Sequence, residues 1–202
     1  MNPKPHHGPI TLATKITIAR ILGIPVFILM MIYYKMSLAA GDPMELYRHV
    51  ALVLFIVIAA TDALDGYLAR SRDEETRLGA ILDPLADKAL LLSAIILLTR
   101  PSLPSLTPQF PVWFTLIVIS RDVALLTGSY VIHWLTGHVD VQPRITGKVA
   151  TFFQMAAIIA ALIPLPYTLF IWLAVIAAAF TLISGLQYIV DGTRQVERPP
   201  HA

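Results

Sequence analysis

The sequence predicts an all-α, polytopic membrane protein with about six transmembrane helices, and three observations carry that reading. Of 202 residues, 56% are hydrophobic and only 14% are Asp, Glu, Lys or Arg, a balance too apolar for an ordinary soluble domain of this length. Apolar runs of the length a bilayer demands, about 20 residues, recur at 16–34, 50–69, 80–98, 112–135, 149–163 and 167–190. The joints at 41–43, 100–111, 137–143 and 164–166 are short and polar or proline-containing, as expected where helices stop.

Taken in order, the first run has a second reading as a cleaved leader, because the small residues of MSLAAG follow it. The roles found below for Thr17 and Arg20 favour a retained helix. The cationic residues set the orientation of the six runs. Lys4, Lys15 and Arg20, then Arg70, Arg72 and Arg77, then Arg144 and Lys148, then Arg194 and Arg198 fall at one set of helix ends, whereas Lys35, Arg48 and Arg100 fall at the other. By the positive-inside rule both termini and the second-to-third and fourth-to-fifth connections face the cytoplasm of an inner-membrane protein. With no internal repeat or low-complexity tract, one domain over 1–202 suffices, with polar tails at about 1–14 and 191–202. The absence of cysteine excludes disulfides, thiolate nucleophiles and cysteine-ligated metals. His6, His7 and His201 lie in the tails and His133 and His138 flank a helix end; their spacing defines no metal site.

One stretch is out of keeping with its apolar surroundings. TDALDGYLARSRDEETRLGAILDPLADK places Asp62, Asp65, Asp83 and Asp87 beside two spans. A helix turns about 100° per residue, so Asp62, Asp65, Gly66, Ala69 and Arg70 share one face, as do Gly79, Asp83 and Asp87 on the next helix. A loop over 71–78 would bring the two carboxylate faces together, and Pro84 would bend the second helix. Four facing carboxylates repel one another unless a positive charge lies between them. Oxygen-only donors fit Mg2+ or Mn2+, and four carboxylates can serve two ions. Buried ion pairs with Arg20, Arg70 or Lys88 are the structural alternative. Two matching helical registers favour a functional site, because ionisable groups within a membrane mark function. Gly66 and Ala69 suit either close ligand approach or helix packing, and Arg70 either a topology signal or phosphate binding. Residues Arg72, Asp73, Glu74, Glu75 and Arg77 read as a solvated loop.

Written as a pattern, the stretch is D-x-x-D-G-x-x-A-R, eight residues, then G-x-x-x-D-x-x-x-D, with Asp62, Asp65, Gly66, Ala69, Arg70, Gly79, Asp83 and Asp87 in the fixed positions. It closely resembles the signature of the CDP-alcohol phosphatidyltransferase family. The likeness extends to LATKITIARILGIP, where Thr17, Arg20 and Pro25 match the family's cytidine-nucleotide-side helix. A departure is Thr14, where family members often carry asparagine. The resemblance implies transfer of a phosphatidyl group from CDP-diacylglycerol to an acceptor alcohol, with release of CMP. It implies that Asp62, Asp65, Asp83 and Asp87 bind Mg2+ or Mn2+, with Asp87 also the general base. It further implies that Thr17, Arg20, Gly66, Ala69, Arg70 and Gly79 bind the CDP-diacylglycerol donor, and that the protein is a homodimer in the lipid bilayer. No nucleic-acid partner is expected.

For the acceptor, VISRDVALL with Arg121 and PRITGKVAT with Arg144 and Lys148 resemble the region where family members bind a phosphorylated alcohol. Local ion pairing and the positive-inside bias are the alternative reading of these residues. Glycerol-3-phosphate is the leading acceptor, on whole-chain resemblance to phosphatidylglycerophosphate synthases. The alternative is phosphatidylglycerol, as in cardiolipin synthases, whose motif is closer at Ser120, Arg121 and Asp122; the first branch usually carries glutamate where Asp122 stands. A cation transporter or channel is the alternative of another class, since intramembrane acids also mark ion paths. Clustering of the acids at adjacent helix ends argues against it.

Overall fold

The computed structural model describes residues 12–72, 77–99, 108–136 and 144–197. Among them the regular structure is helical throughout: α1 (Leu12–Ala39), α2 (Glu45–Arg72), α3 (Arg77–Thr99), α4 (Val112–Thr136), α5 (Ile145–Leu162) and α6 (Tyr167–Glu197). The six helices cover the six apolar runs. They also exceed them, for α6 continues through residues 191–197, which the sequence assigns to a polar tail. Two contacts hold this extension: Asp191 is in an ion pair with Arg144 at the start of α5, and Thr193 Oγ1 donates to the Val190 carbonyl at 2.9 Å.

Ile18–Ala39, Val112–Ile132, Ile145–Leu162 and Tyr167–Gln195 are long and apolar enough to cross a membrane. The other two expected spans fall in α2 and α3, whose side chains at 62–84 lie outside the described residues. Leu22, Leu126, Trp134 and Ile145 are all more than six-tenths exposed. Apolar surface on this scale associates in water, whereas lipid tails solvate it. The protein is therefore a polytopic membrane protein. Its helices are held to one another by shape complementarity and hydrogen bonds, because lipid removes the hydrophobic drive for helix association.

The chain divides into two compact units, Met1–Leu97 and Leu98–Ala202. In the first, α1 and α2 form an antiparallel hairpin. Gly41 ends α1 with φ 79°, a left-handed conformation that glycine adopts at no steric cost. The last turn closes through Ala40 N to Met36 O at 3.0 Å and Gly41 N to Leu38 O at 3.1 Å. Phe27 and Phe55, both fully buried, meet with ring centroids 5.9 Å apart. A Cβ at Gly23 would lie 2.9 Å from Ile58 Cδ1, so glycine permits the helices' close approach there. At the hairpin end, Tyr34 Oη donates to Glu45 Oε1 at 3.1 Å and Arg48 Nη2 lies 2.6 Å from Glu45 Oε2. Lys35, itself buried, donates from Nζ to the Leu97 carbonyl in the last turn of α3, where unsatisfied helix carbonyls attract a cation.

In the second unit α6 packs against both α4 and α5. Near the start of α4, Phe110 stacks on Phe114 at 4.6 Å and meets Phe170 of α6 at 4.9 Å. Further along the pair, Tyr188 Oη lies 2.6 Å from Ser129 Oγ and donates to the Leu125 carbonyl at 3.2 Å. Along α5 and α6, buried Ala157, Ala160, Ala161, Ala174, Ala177 and Ala178 bring backbones close together. The buried Gln154 side chain donates to Thr181 Oγ1 at 2.9 Å, and Thr181 donates to the Ala177 carbonyl at 2.7 Å. Every link of that chain satisfies a polar group that lipid could not.

Candidate active site

The buried faces of α1 and α2 share an alternating spacing. On α1 the buried residues are Arg20, Ile24, Phe27, Met31 and Tyr34, spaced alternately by four and three, which is one helical stripe. Arg20 occupies its N-terminal end at only 3% exposure, so a guanidinium stands where an apolar side chain would continue the pattern. On α2 the buried Ala51, Phe55 and Ile58 follow the same alternation; its next two positions are Asp62 and Asp65. On α3 the buried residues are Ala86, Leu90, Leu91, Ala94, Ile95 and Leu98; Asp87 lies four residues before Leu91 and Asp83 four before that. Asp87 is half-buried.

The termini of these helices fix which end that is. Tyr34 meets Glu45 and Lys35 meets Leu97, so the C-terminal ends of α1 and α3 share one end with the start of α2. Arg20 lies about 22 Å along α1 from Lys35, and Asp87 about 15 Å along α3 from Leu97, at 1.5 Å per residue. Arg20, the Asp62–Asp65 positions and the Asp83–Asp87 positions therefore belong to the opposite end of this unit. The helical geometry that the aspartate spacing presumes is present, since α2 runs through 62–72 and α3 through 77–87. The side chains of Thr17, Asp62, Asp65, Gly66, Ala69, Arg70, Gly79 and Asp83 lie outside the described residues, as does the loop 73–76. Among the described residues no three His, Asp or Glu side chains come together as a metal site, and three of the four aspartates are not among them.

The three residues expected to bind the acceptor all belong to the second unit. Arg121, on α4, is largely buried, with 16% of its side chain exposed. Its Nη1 donates to Asp122 Oδ1 at 2.8 Å and its Nη2 to Ser184 Oγ of α6 at 3.2 Å. Its Nε is buried without a hydrogen-bond partner. The same guanidinium lies against the first turn of α5, since a Cβ at Gly147 would sit 3.2 Å from Arg121 Nη2 and from Ser184 Oγ. Lys148 is the next residue and is exposed. Arg144, at the N-cap of α5, is committed elsewhere: its Nε and Nη2 donate to Asp191 Oδ2 and Oδ1 at 2.8 and 2.7 Å. Its partner on α6 is seven residues from Ser184, about 10 Å along the axis. The structure thus joins Arg121 to the start of α5 but holds the Arg144 guanidinium two turns away along α6.

Sequence reasoning missed Ser184, Gln187 and Asp191, which receive Arg121, Thr146 and Arg144 respectively. Thr146 Oγ1 donates to Gln187 Oε1 at 2.7 Å. A signal was present. Ser184, Gln187, Asp191 and Arg194 recur at intervals of three, four and three within an otherwise apolar helix, a polar stripe of helical period.

An all-helical fold with long apolar spans and a buried arginine on α1 defines a membrane protein that keeps charge within its helices. The family model described as CDP-alcohol phosphatidyltransferase matches residues 10–183, and the chain belongs to that family. It is 37% identical over 189 residues to the CDP-diacylglycerol–glycerol-3-phosphate 3-phosphatidyltransferase of Bacillus subtilis (strain 168), covering 88% of this chain and 92% of the relative. A Pseudomonas fluorescens protein of the same name is 33% identical, with 90% and 94% covered. The probable phosphatidylglycerophosphate synthase of Mycobacterium tuberculosis (strain ATCC 25618 / H37Rv) is 32% identical, with 92% and 83% covered. The chain is accordingly an enzyme, a phosphatidyltransferase of phospholipid synthesis.

Proposed function

We propose that this chain transfers the phosphatidyl group of CDP-diacylglycerol to glycerol-3-phosphate, giving phosphatidylglycerophosphate and CMP. The names of the relatives support the donor and the acceptor. The observation that supports the chemistry is Arg20, buried on α1, at the end of the unit to which the helical aspartate positions of α2 and α3 belong.

In this reading Arg20, Thr17 and Arg70 hold the donor's nucleotide and diphosphate, and Gly66, Ala69 and Gly79 leave room for it. The donor set of Asp62, Asp65, Asp83 and Asp87 is all oxygen and fits Mg2+ or Mn2+, with two ions at full occupancy. Bound there, the ions would neutralise the donor's diphosphate and stabilise charge on the reacting oxygens. Asp87 takes the proton from the acceptor hydroxyl as that oxygen bonds to the lipid-bearing phosphorus. The bond from that phosphorus to the bridging oxygen breaks, and CMP departs with the oxygen. Arg121 and Lys148 bind the acceptor's phosphomonoester, whose charge near −2 rewards several cationic donors. Arg144, paired with Asp191, contributes positive charge and pins the start of α5. The positive-inside distribution places the site at the cytoplasmic face, in a homodimer as the family resemblance implies.

The test is incubation of the purified full-length protein in lipid nanodiscs with CDP-diacylglycerol and a panel of acceptors, followed by identification of the lipid formed. Phosphatidylglycerophosphate formed with release of CMP is the expected result. Cardiolipin from phosphatidylglycerol, with glycerol-3-phosphate ignored, overturns the acceptor assignment. Cation flux without CMP release overturns the reading altogether.

A further inference from the structure

Two glycines and a serine converge on the side chain of Arg121, and none of them belongs to the signature that the family resemblance rests on. Gly147 stands in the first turn of α5 and Gly185 well inside α6. Glycine is a poor helix former compared with alanine, so each position calls for a reason. At Gly147 the reason is the guanidinium: an added Cβ would lie 3.2 Å from Arg121 Nη2, tighter than ordinary contact. At Gly185 an added Cβ would lie 3.4 Å from Arg121 Cγ and 3.9 Å from its Cβ, ordinary van der Waals contact, so the Arg121 stem does not demand glycine there. Ser184, buried at 7% exposure, accepts the hydrogen bond from Nη2. Asp122 accepts from Nη1 on the other branch. Both terminal nitrogens are thus held in direction, on a side chain that would otherwise sample many rotamers.

We propose that Gly147 and Ser184 are positioning residues that aim the Arg121 guanidinium at the acceptor's phosphate, so that they govern acceptor affinity without touching the acceptor. The inference rests on the reading of Arg121 as an acceptor-binding residue. Ordinary small-residue packing between membrane helices is the competing account, and the two differ in what a substitution changes. A methyl group at 147 meets two side-chain ends, Arg121 Nη2 and Ser184 Oγ, each at 3.2 Å, and both belong to the bond that holds the guanidinium, so that bond yields by a few tenths of an ångström. The helices therefore stay assembled while the guanidinium moves off its line. Removing the Ser184 hydroxyl frees the same guanidinium by another route and leaves the helix backbone untouched.

The experiment compares full-length Gly147→Ala, Ser184→Ala and Arg121→Ala with wild type in nanodiscs. It measures KM for glycerol-3-phosphate and for CDP-diacylglycerol by CMP release, together with the melting temperature. Gly147→Ala and Ser184→Ala each raise the KM for glycerol-3-phosphate about tenfold, the loss expected when one bond to a charged group is misdirected. The KM for CDP-diacylglycerol and the melting temperature stay at wild-type values. If Arg121→Ala raises the acceptor KM while both other variants leave it unchanged, or move both KM values together, the positioning role is overturned and the acceptor reading stands. If Arg121→Ala leaves the acceptor KM unchanged, the acceptor reading fails and the inference fails with it. Should Gly147→Ala lower the melting temperature, Ser184→Ala, a one-oxygen change, decides the question alone.

Discussion

Replacing Asp87 by asparagine separates chemistry from folding more cleanly than any other change at the proposed site. Asparagine matches aspartate in size, so the α3 stripe that continues through Leu91, Ala94 and Leu98 keeps its packing and no cavity opens. Because Asp87 is only half-buried, the change in stability should stay within about 1 kcal/mol, as for most substitutions that open no cavity and bury no new charge. What disappears is a negative charge and the proton acceptor. Loss of a general base costs about 10² to 10⁴ in rate, equivalent to about 2.7 to 5.4 kcal/mol of transition-state stabilisation. The assay is CMP release at saturating CDP-diacylglycerol and glycerol-3-phosphate in nanodiscs, with thermal unfolding followed on the same preparation. Turnover within about threefold of wild type would refute the assignment of Asp87 as base. A large loss of activity accompanied by an equally large loss of thermal stability would return Asp87 to a structural role.

Other outcomes follow from the same reading. Chelation by EDTA should abolish activity and added Mg2+ or Mn2+ should restore it, because four clustered carboxylates otherwise lack compensation; full activity in metal-free buffer counts against the ion site. Gly66→Leu or Ala69→Leu should abolish CDP-diacylglycerol binding, measured by filter retention of radiolabelled donor, at unchanged melting temperature. A fall in stability with binding retained would mark the two residues as packing elements. Arg20→Met keeps a buried apolar stem of similar length but removes the charge. It should raise the KM for CDP-diacylglycerol about tenfold to a hundredfold with the KM for glycerol-3-phosphate unmoved, and equal effects on the two would dissociate Arg20 from the donor.

Much of the architecture was legible because membrane helices announce themselves by composition. Runs such as 112–135 and 167–190 are apolar over most of their length, and the observed α4 and α6 cover them. What periodicity could not reveal was where a helix stops when its end is polar. Residues 191–197 look like a solvated tail, yet α6 continues because Asp191 finds Arg144 across a gap of 47 residues. The cationic cluster was legible in kind but not in partnership. Arg121, Arg144 and Lys148 read alike as positive charges near one face. Only the fold distinguishes a largely buried guanidinium held by Asp122 and Ser184, one committed to Asp191, and an exposed ammonium. Gly147 escaped for the same reason, since its meaning lies in a side chain 26 positions earlier that no local pattern connects to it.

The aspartate motif and the helical stripes of the first unit are two descriptions of one design. A stripe spaced by fours and threes is what a helix needs to pack against its neighbours, and α1, α2 and α3 each devote apolar residues to it over most of their length. Extending the apolar pattern to the helix ends would give the tightest bundle. Instead the same positions become Arg20, Asp62, Asp65, Asp83 and Asp87, exchanging packing for charges that are costly to keep in a membrane. Placed on the outer faces, those residues would meet lipid; placed in the loops, they would be solvated and only loosely held. Within α1, α2 and α3 their backbone positions are fixed relative to the apolar residues of the same helix. Phe27 and Phe55 meet where α1 and α2 face each other, and a one-residue insertion in either α2 or α3 would turn the aspartate positions by about 100° relative to the rest of the helix. Single-alanine insertions at residue 60 or residue 89, each within a helix, should therefore abolish transfer even where the protein still inserts and folds.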